Sequence, residues 1–182
     1  MPAAVPTTAV RARAAAAAVP AGTIVFIKAN NVWIERPDGS AARALTKNGT
    51  AALPYSSPSQ DDAGHVVALH TVRKGGGSAT AAEVLRLDQS GHVLSRFAPP
   101  VPALGTDFAE VSPDGTTIAF SFAEGGTDCN FTPCHTFFVH TLAYADATRS
   151  HLRAGTKTVS DVLHATWVGN SRVLLERRPP NV

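Results

Sequence analysis

One strand–turn module recurs after residue 22 with a period of roughly fifty residues, and this recurrence constrains the fold more than any other feature. Short strand-like runs separated by tight turns, without a helical period, predict an all-β chain. The module opens with an apolar run, found at Ile24–Phe26, Val66–Ala68, Ile118–Phe120 and Val173–Leu175. A second run follows at Asn31–Ile34, Glu83–Leu87 and Thr136–His140, and a short third run at Ala42–Thr46, His92–Arg96 and Thr148–Leu152.

Turn residues mark the boundaries between these runs. In Ser112–Gly115 a proline precedes Asp-Gly, which presets one backbone angle and then supplies a residue that tolerates positive φ. Ser57–Gly64 is a longer version, and Val168–Asn170 is a degenerate one. A small four-stranded sheet that is apolar on both faces cannot bury them alone, so it stacks on its neighbours as propeller blades do.

These motifs resemble the repeat of TolB-type, WD-like β-propeller proteins. The resemblance is carried by Ile24–Thr46 and by Val111–Phe120, and it covers residues 23–178. It implies about three and a half four-stranded antiparallel blades, because the first unit lacks its innermost strand and the last stops after two strands. We therefore expect an incomplete or open propeller, closed by missing blades or by an oligomer. Arg73–Thr80 and Ala123–His135 depart from the repeat as long inserted loops.

The first 22 residues differ in composition from the rest. They are rich in Ala, Val and Pro, and they carry Arg11 and Arg13 but no acidic residue. Two interpretations stay open: the remnant of a secretion signal peptide, or a disordered Ala/Pro-rich leader. We divide the chain into this segment, 1–22, and a partial β-propeller repeat domain, 23–182. No run of eighteen apolar residues occurs, so no transmembrane helix is predicted.

The two cysteines, Cys129 and Cys134, stand close together in a stretch with loop-like composition. We predict a disulfide between them if the chain is exported. Free thiols and metal binding remain alternatives, although zinc would need two further ligands beyond these cysteines and the adjacent His135 is only one.

Motifs for catalysis are missing from the sequence. It has no Gly-x-Ser-x-Gly elbow, and the Gly-rich stretch Lys74–Ser78 lacks the order of a phosphate loop. The acids Asp61, Asp62 and Asp114 occupy turn positions, where Asp hydrogen-bonds its own backbone. We predict no catalytic residue, no metal site and no cofactor. The seven histidines have irregular spacing and are predicted at strand ends and loops: His65, His70, His92, His135, His140, His151 and His164.

Two aromatic residues, Tyr55 and Phe108, fall on the predicted innermost strands, so we name them as candidate channel-facing binding residues. Lys and Arg number 16 against 14 acids and are scattered, which excludes a basic stripe for nucleic acid. The hypothesis is a non-enzymatic, exported binding or scaffold module for a protein partner or a small polar ligand. The resemblance to TolB implies protein–protein contact at the cell envelope. The alternative is the propeller part of a prolyl-oligopeptidase-like peptidase or of a carbohydrate-active enzyme, with its catalytic domain outside this chain.

Overall fold

The computed structural model describes residues 22–75, 80–99, 106–130, 133–147, 151–152 and 159–177. Within these ranges the chain forms fourteen β-strands and no helix, which confirms the all-β prediction. None of the described residues forms a helix long and apolar enough to cross a membrane. The predicted leader, apart from Gly22, lies outside the described residues, so its two interpretations stay open.

The strands form successive antiparallel sheets in chain order. The first sheet contains β1 (Ile24–Lys28), β2 (Asn31–Glu35) and β3 (Arg43–Ala44). The second contains β4 (Tyr55–Gln60), β5 (Val66–Arg73), β6 (Thr80–Leu87) and β7 (Val93–Phe97). The third contains β8 (Ala109–Val111), β9 (Thr117–Asp128), β10 (His135–Asp146) and β11 (His151–Leu152), and β12 (Val159–Ser160) also pairs with β10. The last contains β13 (Val162–Val168) and β14 (Arg172–Arg177).

The strand content of the sheets follows the predicted module. The opening run of each unit lies in β1, β5, β9 and β14. Among the described residues, no strand pairs with β1 on its inner side, and the last sheet has two strands, as predicted. The turn before β9 has the geometry that its residues predict. Gly115 adopts a φ of 69°, and its N–H donates to the carbonyl of Ser112 at 2.8 Å.

The sheets stack because successive side chains of a strand point to opposite faces. On β5, Val66 and Ala68 join a core with Val32 and Ile34 of the first sheet. Val67 and Leu69, which alternate with them, face the third sheet. The second sheet is therefore buried on both faces, as a propeller blade is. The outward face of the last sheet exposes Leu174, which is 68% accessible. Closure of these sheets into a ring stays a prediction.

The prediction of an inserted loop at Ala123–His135 was wrong for most of this range, which continues the strand β9. β9 and β10 pair over twelve residues, from Thr117 opposite Asp146 to Asp128 opposite His135. Once two antiparallel strands are in register, the hydrogen-bond ladder extends through residues of low strand propensity such as Gly125.

A buried carboxylate joins the β4–β5 turn to β6 within the second sheet. Asp61 accepts hydrogen bonds from the backbone N–H of His65 at 2.8 Å and from its Nδ1 at 2.9 Å. Its second oxygen also lies 3.2 Å from the Arg86 guanidinium, and the Asp61 side chain is fully buried. The N–H of Asp62 donates to the Pro113 carbonyl of the next unit at 2.8 Å. These acids therefore have the structural role predicted from their turn positions.

Candidate functional site

A groove of about 410 Å³ lies between the first two sheets, beside the core that they share. Its floor is aliphatic and buried, formed by Leu45, Leu85 and Leu87. The groove exists because β3 has only two residues, so the chain leaves the first sheet early and crosses to Tyr55 at the start of β4. Polar side chains line its rim: Lys47, Asn48, Tyr55, His70, Glu83 and Arg96.

Strand register brings three of these side chains into one row. Tyr55 lies opposite His70 across β4 and β5, and His70 lies opposite Glu83 across β5 and β6. Directly opposed residues on one face of antiparallel strands have their Cβ atoms about 5 Å apart, so their side chains interact. The row therefore crosses the second sheet on the face turned toward the first sheet.

The Tyr55 and His70 rings stack on each other. Their centroids are 4.1 Å apart and their planes are 5° from parallel. The Tyr55 hydroxyl donates to Oδ1 of Asn48 at 3.0 Å, which fixes the ring in place. Burial raises the pKa of Tyr55 and lowers the pKa of His70, so the imidazole is neutral at pH 7.

One ring nitrogen of His70 is left unpaired beside the groove. The Glu83 carboxylate and the backbone of Leu53 oppose the effect of burial on the pKa of His70. Nε2 of His70 is buried and has no hydrogen-bond partner among the described residues. In the neutral ring Nε2 donates or accepts a hydrogen bond according to the tautomer, and in either case it is an unpaired polar atom.

The charged groups on the rim are only loosely paired. Nη1 of Arg96 lies 4.0 Å from Oε2 of Glu83, and the two side chains are 61% and 29% exposed. A pair this long and exposed contributes about 0–1 kcal/mol, so a ligand can displace it at little cost. Lys47 adds a second exposed cation.

The structure separates the two predicted binding residues. Tyr55 lines the groove, although its side chain is 5% exposed. Phe108 precedes β8 and is 1% exposed, packed in the core between the third and fourth sheets with its ring 5.5 Å from that of His164. It presents no surface to a channel, because the fourth sheet covers it. The prediction missed His70 and Glu83, and only the register of β4 to β6 could have identified them.

Three histidines pair with aspartates instead of forming a metal site. His65 meets Asp61, His92 meets Asp88, and His140 meets Asp107 with 2.5 Å between Nδ1 and Oδ2. In the part of the chain that the structure describes, no group of three or more His, Cys, Asp or Glu side chains could hold a metal ion.

The cysteines lie at the tip of the long β9–β10 hairpin. In the structure Cys129 and Cys134 are joined by a disulfide, so neither thiol is free to bind a metal. The bond links the two strands just beyond their last paired residues, Asp128 and His135.

Comparisons with known proteins show little similarity. No family model matches the chain, and no curated protein matches it. The crystal structure of TolB from Acinetobacter baumannii aligns with 16% sequence identity and a TM-score of 0.36. The alignment covers 84% of this chain and 44% of that one, so the chain spans less than half the length of that protein.

Proposed function

We propose that the chain is a non-enzymatic binding module that holds a ligand in the groove between its first two sheets. The shape and lining of this groove carry the proposal. Ligand sites are typically clefts of about 300–1,000 Å³ with an apolar lining and a few converging polar groups. The groove has this volume, an aliphatic floor, and two residues with shifted pKa values, Tyr55 and His70.

The hydroxyl groups of the groove support binding over catalysis. A nucleophile needs a base within hydrogen-bond reach to remove its proton. The Thr46 hydroxyl instead donates to Oδ1 of Asn31 at 3.1 Å and accepts the N–H of Val32 at 3.0 Å. The Tyr55 hydroxyl donates to Asn48. Both hydroxyls along the groove therefore hold the loop between β3 and β4 in place.

Two further features support an exported protein that contacts other proteins. Disulfides persist in oxidising compartments, and the structure joins Cys129 to Cys134. The last sheet exposes Leu174 and Val168 on its outward face, and an uncovered apolar sheet face favours contact with a further blade or a protein partner. We propose that the module works outside the cytoplasm on these grounds.

The test is a ligand-observed NMR screen of small polar molecules against the full chain. The affinity for each hit should fall in the variants Arg96→Ala and His70→Ala. It should be unchanged in Arg172→Ala, which removes an exposed cation from the fourth sheet. An affinity that is the same in both groove variants as in the original chain would contradict the proposed site. Turnover of a bound molecule into product would contradict the non-enzymatic role.

A further inference from the structure

We propose that the ligand of the groove is a free α-amino acid with an aliphatic side chain. This inference rests on the proposed function of the groove as a binding site. It follows from three separate requirements that the groove imposes on a ligand: hydrogen-bond donors, hydrogen-bond acceptors and an aliphatic surface.

The first requirement is a cationic donor. The carboxylate of Glu83 lies on the rim, opposite His70 in the strand register, and its side chain is 29% exposed. An α-ammonium group has three N–H donors and one positive charge. It pairs with the Glu83 carboxylate by charge as well as by hydrogen bonding, whereas a neutral hydroxyl offers a hydrogen bond alone.

The second requirement is an anionic acceptor. Arg96 and Lys47 place two cations on the rim, against the one anion of Glu83. Arg96 lies beside Glu83 at 4.0 Å, so the donor and acceptor groups of the rim are adjacent. The ammonium and carboxylate of an α-amino acid are also adjacent, separated by one carbon atom, and an Arg guanidinium binds a carboxylate through two parallel hydrogen bonds.

The third requirement is an aliphatic body. The floor consists of Leu45, Leu85 and Leu87, and Val93 at its edge is 42% exposed. The three leucines are already buried, so a ligand side chain gains mainly by covering Val93, which removes apolar surface from water. The floor also argues against a sugar, since sugars are usually held on an open aromatic ring and Tyr55 is 5% exposed with one face covered by His70. The ligand that meets all three requirements is an amino acid such as leucine.

The test is a ¹H–¹⁵N NMR titration of the full chain with L-leucine, N-acetyl-leucine, leucine amide and glucose. Leucine should shift the amides of the groove and bind most tightly. Glu83→Gln and Arg96→Gln should each lower the affinity for leucine by about tenfold, because each removes one charge-assisted contact. Glu176→Gln and Arg172→Gln, exposed on the fourth sheet, should leave the affinity unchanged.

The blocked ligands assign each charge to its partner. N-acetyl-leucine has no ammonium, so Glu83→Gln should not lower the affinity for this ligand. Leucine amide has no carboxylate, so Arg96→Gln should not lower the affinity for that one. If a variant loses the same factor of affinity for free leucine and for the blocked ligand, the assignment is overturned. Groove shifts with glucose but not with leucine would overturn the ligand class and leave the proposed function intact. No shift with these ligands, and no hit in the screen, would overturn both.

Discussion

Glu110 offers a stability test that is independent of any ligand. It lies on β8 between Ala109 and Val111, which face the second sheet, so its own side chain faces the fourth. The Trp167 indole of the fourth sheet donates to the Glu110 carbonyl at 2.9 Å. Burial raises the pKa of the Glu110 carboxyl from an ordinary value of 4.5 to about 7.

The sign of the effect follows from linkage. A carboxyl whose pKa is higher in the folded state stabilises the fold below pH 4.5, and this stabilisation is lost as the pH rises to about 7. A difference of about 2.5 in pKa corresponds to about 3.4 kcal/mol at most. Because solvent reaches part of the Glu110 side chain, we expect about 1–2 kcal/mol.

The variant Glu110→Gln removes this titration and keeps the side-chain shape. Urea denaturation at pH 4 and pH 8 gives the free energy of unfolding of both proteins. The variant should match the original chain at pH 4 and exceed it by about 1–2 kcal/mol at pH 8. The exposed Glu176→Gln serves as the control. Equal stabilities of the Glu110 variant and the original chain at pH 8 would refute a buried, neutral carboxyl at this position.

Three further substitutions test one buried ion pair within the second sheet and two contacts between sheets, each by urea denaturation. Asp61→Ala should cost about 3–5 kcal/mol, because it leaves Arg86 buried without its carboxylate, whereas exposed Asp38→Ala should cost far less. Ser59→Ala should cost about 1–3 kcal/mol, since this buried hydroxyl both donates to and accepts from the backbone of β8. Gly91→Ala should destabilise the fold and distort the groove, because the new Cβ would lie 2.2 Å from a backbone carbonyl oxygen at a φ of 89°. An unchanged stability for any of these would contradict the packing around that residue.

The fold was predictable from the sequence because its signals are local. Turns such as Ser112–Gly115 contain the residues that their backbone angles require, and the apolar runs between them are short and alternate in face. The exception is the β9–β10 hairpin. Ala123–His135 departs from the repeat and was predicted as an inserted loop, but the strand register set by Thr117–Phe122 continues to Asp128.

The groove was only partly predictable, because its residues meet through long-range register. Tyr55 was predicted on an innermost strand, and it lies on β4, but it was predicted to face a channel. Its neighbours His70 and Glu83 depend on how β4, β5 and β6 are aligned. An irregularity between Ser56 and Ser59 shifts the β4–β5 register, and a shift of one residue moves a side chain to the opposite face. Pro58 marks the place of this irregularity, next to Ser57 with its φ of 46°, but it does not determine which residues then lie opposite each other.

Side-by-side packing of consecutive sheets is the claim on which the groove and its ligand depend. A methyl NOESY spectrum measures it directly. We predict cross-peaks that join the first sheet to the second, from Val32 and Ile34 to Val66 and Leu85, and others that join the second to the third, from Leu69 to Ile118. Folded protein whose assigned methyl groups show these contacts only within single sheets would contradict it.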